Sequence, residues 1–182
     1  MIFVTSDLHL GHSNIIKLNG RPFENVDEMN RVLIQNWNAV VGRNDEVYVL
    51  GDLIYKASIT DANAWLKKLN GVKYLIKGNH DKYLNQPEFN QDAFRWVKDY
   101  FVLPYKDAKF VLFHYPIQEW DGYFRKTAHL YGHVHTNLVR GQDIISESRA
   151  INVGVDVNEF MPVSIEALYK RAFSCSWRGC QV

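Results

Sequence analysis

The 182 residues carry 47% hydrophobic and 23% charged side chains with a formal net charge of +1, the make-up of an ordinary globular domain long enough to bury a substantial core. A charge so near zero excludes a bulk field that would gather nucleic acid or a membrane surface, and no run approaches the ~20 apolar residues of a transmembrane helix. The opening Met1-Ile2-Phe3-Val4-Thr5-Ser6-Asp7 has neither a basic segment nor a long apolar one, so no secretory signal is expected and the expected location is the cytoplasm.

Along the chain, Ile2–Thr5 is a short β-favouring run whose carboxyl end delivers Asp7. Residues 27–41 predict a helix with Met29, Val32, Leu33, Trp37 and Val40 on one face. Asn25 and Glu28, three apart, have the spacing of a capping box. Val47–Leu50 is a second strand, ending at Gly51-Asp52. A helix over about 60–69 follows, aligning Ala62, Trp65, Leu66 and Leu69 with Gly71 just beyond. Val72–Ile76 is a third strand, leading into Gly78-Asn79-His80-Asp81.

Strand and helix thus alternate in the first half, which favours parallel strands with crossover helices. The second half is strand-rich, with candidate strands at 97–103, 109–114, 129–132 and 150–155. One late helix over 164–172 places Ile165, Leu168, Tyr169 and Ala172 together after a Ser164 cap. The expected fold is α/β, with two packed mixed β-sheets flanked by helices, residues 1–173 forming one domain and 174–182 a C-terminal tail. That tail holds both cysteines, Cys175 and Cys180. A Cys-x4-Cys pair is compatible with half a zinc site or a small-loop disulfide, but no second pair accompanies it, and two reduced thiols is the simpler expectation.

Six of the seven histidines follow short apolar runs beside Gly, Asp, Asn or aromatic residues. They are His9 and His12, His80, His114, His133 and His135. Strand ends rich in nitrogen and oxygen donors, scattered along a chain, suggest several strand tips meeting at one metal site. Singly the motifs carry little: Asp7-x-His9 is common, and Gly51-Asp52 after a strand is usually a turn. Gly132-His133-Val134-His135 says more, because period-two spacing sends both imidazoles to one face of an extended segment. Gly78-Asn79-His80-Asp81 says most, grouping a neutral oxygen donor, a titratable base and a carboxylate.

In this order (Asp-x-His, Gly-Asp, Gly-Asn-His-Asp, His, Gly-His-x-His, from Asp7 to His135) the motifs resemble those of the calcineurin-like metallophosphoesterase superfamily. Ser6-Asp7-Leu8-His9-Leu10-Gly11-His12 and Asn152-Val153-Gly154-Val155-Asp156 are similar to a small bacterial and phage branch of it. The resemblance implies two divalent cations, one held by Asp7, His9, Asp52 and His135 and the other by Asp52, Asn79, His114 and His133, with Asp52 as the bridge. It also implies a metal-bridging water as nucleophile in an in-line displacement at phosphorus. No cysteine belongs to this set, so manganese, iron, zinc and nickel all suit the donors.

The resemblance further implies that His80 faces the substrate, stabilising the transition state or protonating the leaving oxygen. Relatives of the protein-phosphatase type place an Asp three residues after the bridging Asp, paired with this histidine. Here that position is Tyr55, and Asp81 or another, unidentified carboxylate is the candidate replacement. His12, Asn14 and Arg21 are second-tier candidates, His12 bordering the site and Arg21 reaching a phosphate oxygen; equally, His12 packs its loop and Arg21 pairs with a surface acid. Arg125 stands with Lys126, Tyr123 and Phe124 in the Trp120–Thr127 loop. Such a cluster can grip a nucleotide, although a solvated loop tip over a small aromatic core is the commoner outcome. His129 is expected to be structural.

The expected activity is hydrolysis of a small phosphomonoester or phosphodiester, a nucleotide among them. A nuclease is the alternative, disfavoured by the near-neutral charge, because grip on a polyanion usually needs Lys/Arg stripes. A non-catalytic protein-binding scaffold is a third, but it predicts eroded ligand positions, and here all are filled.

Overall fold

The computed structural model describes residues 1–137 and 149–173; the cysteine-bearing tail expected at 174–182 lies outside the described residues. Among the described residues nine strands form two sheets. The first has β1 (Ile2–Thr5), β2 (Glu46–Val49), β3 (Val72–Ile76), β4 (Val97–Lys98) and β9 (Val163–Ser164) in the order β4-β3-β2-β1-β9. Its first four strands are parallel and β9 pairs antiparallel with β1. The second has β5 (Tyr100–Tyr105), β6 (Ala108–Phe113), β7 (Thr127–Tyr131) and β8 (Ala150–Asn152) in sequential order. There β5-β6 is an antiparallel hairpin and β6, β7 and β8 run parallel. The α-helices of the described residues are α1 (Ser13–Leu18), α2 (Val26–Val40), α3 (Ile59–Lys68) and α4 (Ile165–Phe173). The expected pair of mixed sheets flanked by helices is what the chain forms.

The period-two rule explains the two cores. Phe3, Val47, Val49 and Leu75 point to one face of the first sheet, where Met29, Leu33 and Trp37 of α2 and Ala62 and Leu66 of α3 cover them. Val4, Tyr48, Leu50 and Ile76 point to the other face and meet Phe110, Leu112, Ala128, Leu130 and Ile151 of the second sheet. Ile165 and Leu168 of α4 join this inter-sheet core. The helices begin where their caps stand. Asn25 Oδ1 accepts from Glu28 N at 2.9 Å and Ser58 Oγ from Asp61 N at 3.1 Å. Ser164 Oγ likewise accepts from Ala167 N at 3.2 Å. Only half of the expected capping box forms, since Glu28 turns its carboxylate to Glu24 N rather than to Asn25.

Two expectations need correction. The single strand expected at 97–103 is split at Asp99: Val97 and Lys98 pair with β3, whereas Tyr100 onward pairs with β6, so the chain changes sheets there. The strand expected at 150–155 ends at Asn152, because Val155–Val157 turns into a 3-10 helix. The six-residue α1 and two-residue β9 were too short to leave a periodic signal.

Parallel pairing puts the carboxyl ends of β1, β2 and β3 along one edge and those of β6 and β7 along the facing edge. A bridge between Ser6 and Gly154 ties the two edges together. Ligand sites in open parallel sheets form outside such ends. Among the described residues no helix is long and apolar enough to cross a membrane.

Two leucines test this packing. Leu33 is 1% exposed on α2 and Leu18 is 72% exposed at the end of α1. Leu33→Ala should cost about 2–5 kcal/mol in chemical denaturation, and Leu18→Ala less than about 0.5 kcal/mol. Equal losses would contradict the layer assignment.

Candidate metal centre

Each strand tip contributes donors. The turn after β1 supplies Asp7 and His9, that after β2 Asp52, and that after β3 Asn79 and His80; β6 leads straight into His114, and β7 into His133 and His135. To aim these side chains inward the backbone leaves ordinary conformations. Of nine non-glycine residues with positive φ among the described residues, five are Asp7 (59°), His9 (53°), Asp52 (54°), His133 (70°) and His135 (52°). Each costs about 1–3 kcal/mol and persists only where the surroundings impose it.

Glycines give the tips room to converge. A Cβ on Gly132 would overlap Ser6 Oγ and Asp7 Oδ2, and one on Gly78 would overlap Asp52 Oδ1. These are the two glycines that open the Gly-His-x-His and Gly-Asn-His-Asp motifs.

The donors gather into two groups, Asp7-His9-His135 and Asp52-His114-His133, each with donor atoms within 4.8 Å of one another. Asp52 Oδ2 stands between them, 3.6 Å from His9 Nε2 and 3.6 Å from His114 Nε2. Asn79 Oδ1 is 3.1 Å from His114 Nε2, on the side of the second group. The expected ligand residues are therefore brought to one cleft.

One oxygen of each carboxylate is held by the protein and the other is left open. Asp7 Oδ2 accepts from His133 N at 2.9 Å, while Asp7 Oδ1 is buried with no hydrogen-bond partner. Asp52 Oδ1 accepts from His80 N at 2.8 Å. His9 Nε2 is likewise buried without a partner. Buried polar atoms are almost always satisfied, so an orphaned carboxylate oxygen and an orphaned imidazole nitrogen 4.0 Å apart fit a missing cation. Two other rings have a fixed tautomer. His114 Nδ1 lies 2.7 Å from Leu50 O and His135 Nδ1 2.7 Å from Asp156 Oδ2. An acceptor at Nδ1 places the proton there and leaves the Nε2 lone pair free for a metal.

Burial sets the electrostatics. It raises the Asp7 carboxyl to about 7 and lowers His9 to about 2, in the latter case with help from His135 and Arg21. Asp52 is raised by burial against the pull of the His80 N–H, and His114 and His133 are lowered by burial. Burial thus disfavours the charged form of Asp7, His9, Asp52, His114 and His133. A divalent cation reverses that preference for the carboxylates and uses the imidazoles in their neutral form.

The other candidates fall into distinct places. His80 is 36% exposed at the side chain, at the cleft mouth, with Nε2 3.9 Å from Asp52 Oδ2. Tyr55 packs edge-on against it at 4.9 Å and stacks on His12 at 3.7 Å. His12 Nδ1 is 3.3 Å from His9 Nδ1, so His12 borders the site.

Asp81 does not reach the cleft as a replacement partner for His80. It is buried, and its two oxygens accept from Asp52 N (2.9 Å), Leu53 N (3.0 Å) and Gly78 N (2.8 Å). It ties the β2 tip to the β3 tip, a positioning task. Arg21 is also buried and is not a phosphate ligand: its guanidinium is consumed by Asp156 and by the carbonyls of Asp7 and Leu8.

Arg125 lies just before β7, at the strand end opposite His133. Its loop is closed by the buried Trp120, whose Nε1 donates to Thr127 Oγ1 at 3.0 Å, and Phe124 at its tip is exposed. His129 is buried with its two ring nitrogens 3.1 Å from Val111 O and Tyr115 O, a structural placement. Sequence reasoning missed Asp156 as part of the site, although Asn152–Asp156 had been singled out as a motif; nothing local to that motif showed that it folds back onto His135.

Comparison with known proteins agrees with this geometry. Residues 1–148 match the family model described as calcineurin-like phosphoesterase. The chain is 40% identical over 175 residues to an uncharacterized protein of Methanocaldococcus jannaschii, covering 93% of this chain and 89% of that one. It is 28% identical to the gene 66 protein of Mycobacterium phage L5, covering 84% of each. Among solved structures it is similar to a protein of unknown function from Aquifex aeolicus, with a TM-score of 0.73 and 28% identity over 94% of this chain and 98% of that one. With its two donor groups at the strand tips, the chain belongs to the calcineurin-like phosphoesterase family.

Proposed function

We propose that this protein is a binuclear metal-dependent phosphoesterase acting on a small phosphorylated molecule. Asp7, His9, Asp52 and His135 would hold one ion, and Asp52, Asn79, His114 and His133 the other. The observation that carries this reading is the position of Asp52 Oδ2, equidistant at 3.6 Å from an imidazole nitrogen of each group. Imidazole, carboxylate and amide oxygen without thiolate suit manganese, iron, zinc or nickel. Two cations bound there supply Lewis acidity and a nucleophilic water at neutral pH.

The remaining work falls to the chain itself. His80 stands at the mouth with a ring edge toward the centre, placed to stabilise charge on the phosphoryl group or to give a proton to the departing oxygen. Asp52 is the carboxylate in ion-pair range of its ring, and the Tyr55 ring packs against it at 4.9 Å. His12 and Tyr55 form one wall of the opening, and Tyr115, packed against His114 and His133, forms another. Aromatic walls beside a phosphate-binding centre suit a small organic phosphoester, including a nucleotide. The net charge of +1 favours such a substrate over a polyanion.

A panel of phosphoesters, with p-nitrophenyl phosphate and its bis-ester as the first pair, offered to metal-stripped protein refilled with one cation at a time should show turnover only in refilled samples. No turnover with any cation would favour the scaffold reading. Asp52→Asn should lower turnover by more than the ~10–100-fold typical of an outer-shell partner. The fold should survive, because the asparagine Oδ1 can still accept from His80 N; near-normal activity would remove the bridge.

Metal affinity should also depend on pH. Asp7 is protonated below about 7 and must lose that proton to bind a cation, whereas His9, lowered to about 2, has none to lose. Affinity should therefore rise about tenfold per pH unit between pH 5 and 7 for each proton released, then level off. Calorimetric titration at several pH values measures this, and a flat profile would contradict the burial argument.

A further inference from the structure

The two halves of the centre are supported differently. On the second, His114 leans on a backbone carbonyl, Leu50 O. On the first, His135 leans on a carboxylate, Asp156 Oδ2, at 2.7 Å. The same carboxylate is held in a two-point pair by Arg21, with Nε to Oδ1 at 2.8 Å and Nη2 to Oδ2 at 2.9 Å. Arg21 spends its other donors on the loop that carries the first group's remaining ligands, with Nη2 to Asp7 O at 2.7 Å and Nη1 to Leu8 O at 2.8 Å. Both side chains are nearly sealed from solvent, 0% exposed for Arg21 and 2% for Asp156. Asn152 completes the brace, donating from Nδ2 to His135 O at 2.9 Å.

A buried guanidinium paired at two points is rigid in a way that a surface pair is not. It sits where two conformationally strained segments must be held in register, Asp7–His9 and His135. Carboxylate partners of metal-ligating histidines fix the tautomer and raise ligand basicity.

We infer that Asp156 and Arg21 are positioning residues that assemble one metal half-site selectively. Asp156 holds His135 with Nε2 open, and Arg21 locks that carboxylate to the Asp7–His9 loop. The inference rests on the two-metal reading above and adds an asymmetry to it. Losing the brace removes one ion, not both.

Asp156→Asn in the full chain is the direct test, read by manganese titration with metal analysis and electron paramagnetic resonance. Wild type should take up two ions per chain and give the signal of a coupled pair. The variant should retain one ion and bind the second about 10–100-fold more weakly, giving an isolated-ion signal. Two ions bound with wild-type affinity would overturn the inference while leaving the two-metal reading intact. A wild-type chain that binds no manganese, iron, zinc or nickel would remove that reading and the inference with it.

A second comparison separates positioning from general support. Because Asp156 acts through His135 as well as through Arg21, adding Asp156→Asn to His135→Ala should cost clearly less affinity than Asp156→Asn costs alone, and fully additive losses would overturn the inference. Should the variant fail to fold, nitrogen-15 spectra of metal-free wild type decide the matter: His135 is expected protonated at Nδ1, and protonation at Nε2 would overturn it.

Discussion

Two carboxylates, Asp7 and Asp52, are buried where the sheets meet, and the protein holds one oxygen of each while leaving the other open. Burying a carboxylate is expensive unless a cation or a full set of donors compensates it. Here the surrounding donors compensate only half, and the rest of the site follows from that imbalance. Neutral imidazoles cannot complete the compensation, because burial keeps them from protonating. The fold thus stores an electrostatic deficit that the proposed divalent cations would satisfy.

Strain in the backbone is the counterpart of that deficit. Asp7, His9, Asp52, His133 and His135 all sit in the left-handed region, and glycines at 78 and 132 let neighbouring tips pass at distances that no side chain would permit. None of these features stabilises the empty domain. They persist because two hydrophobic cores, one under α2 and α3 and one between the sheets, hold the strands whose ends they terminate. Stability is made in the layers and consumed at the edge.

The donors could be read in the sequence because each lies at or shortly after the end of an apolar run, so local pattern and chemistry coincide. The layer order was legible for the same reason: alternating strands and helices first, strands afterwards. What could not be read is what depends on distant packing. Arg21 looks like a phosphate ligand until its guanidinium is found buried against Asp156, 135 residues away. Asp81 looks like a partner for His80 because the two are adjacent, yet adjacency sends the carboxylate back into the turn, where three backbone N–H groups claim it. The change of sheet at Asp99 was hidden because Val97 and Tyr100–Leu103 are close enough in sequence to read as one strand interrupted only by Lys98-Asp99. Tyr55 shows the reverse case. Its departure from the protein-phosphatase pattern was visible, but its packing between His12 and His80 was not.

The central claim is that a single carboxylate, Asp52, is shared by two cations. Anomalous diffraction from crystals of the manganese-loaded protein tests it most directly. The account predicts two peaks about 3.5–4 Å apart, one on each side of Asp52 Oδ2. A single peak, or two peaks with Asp52 bound to only one of them, would contradict it.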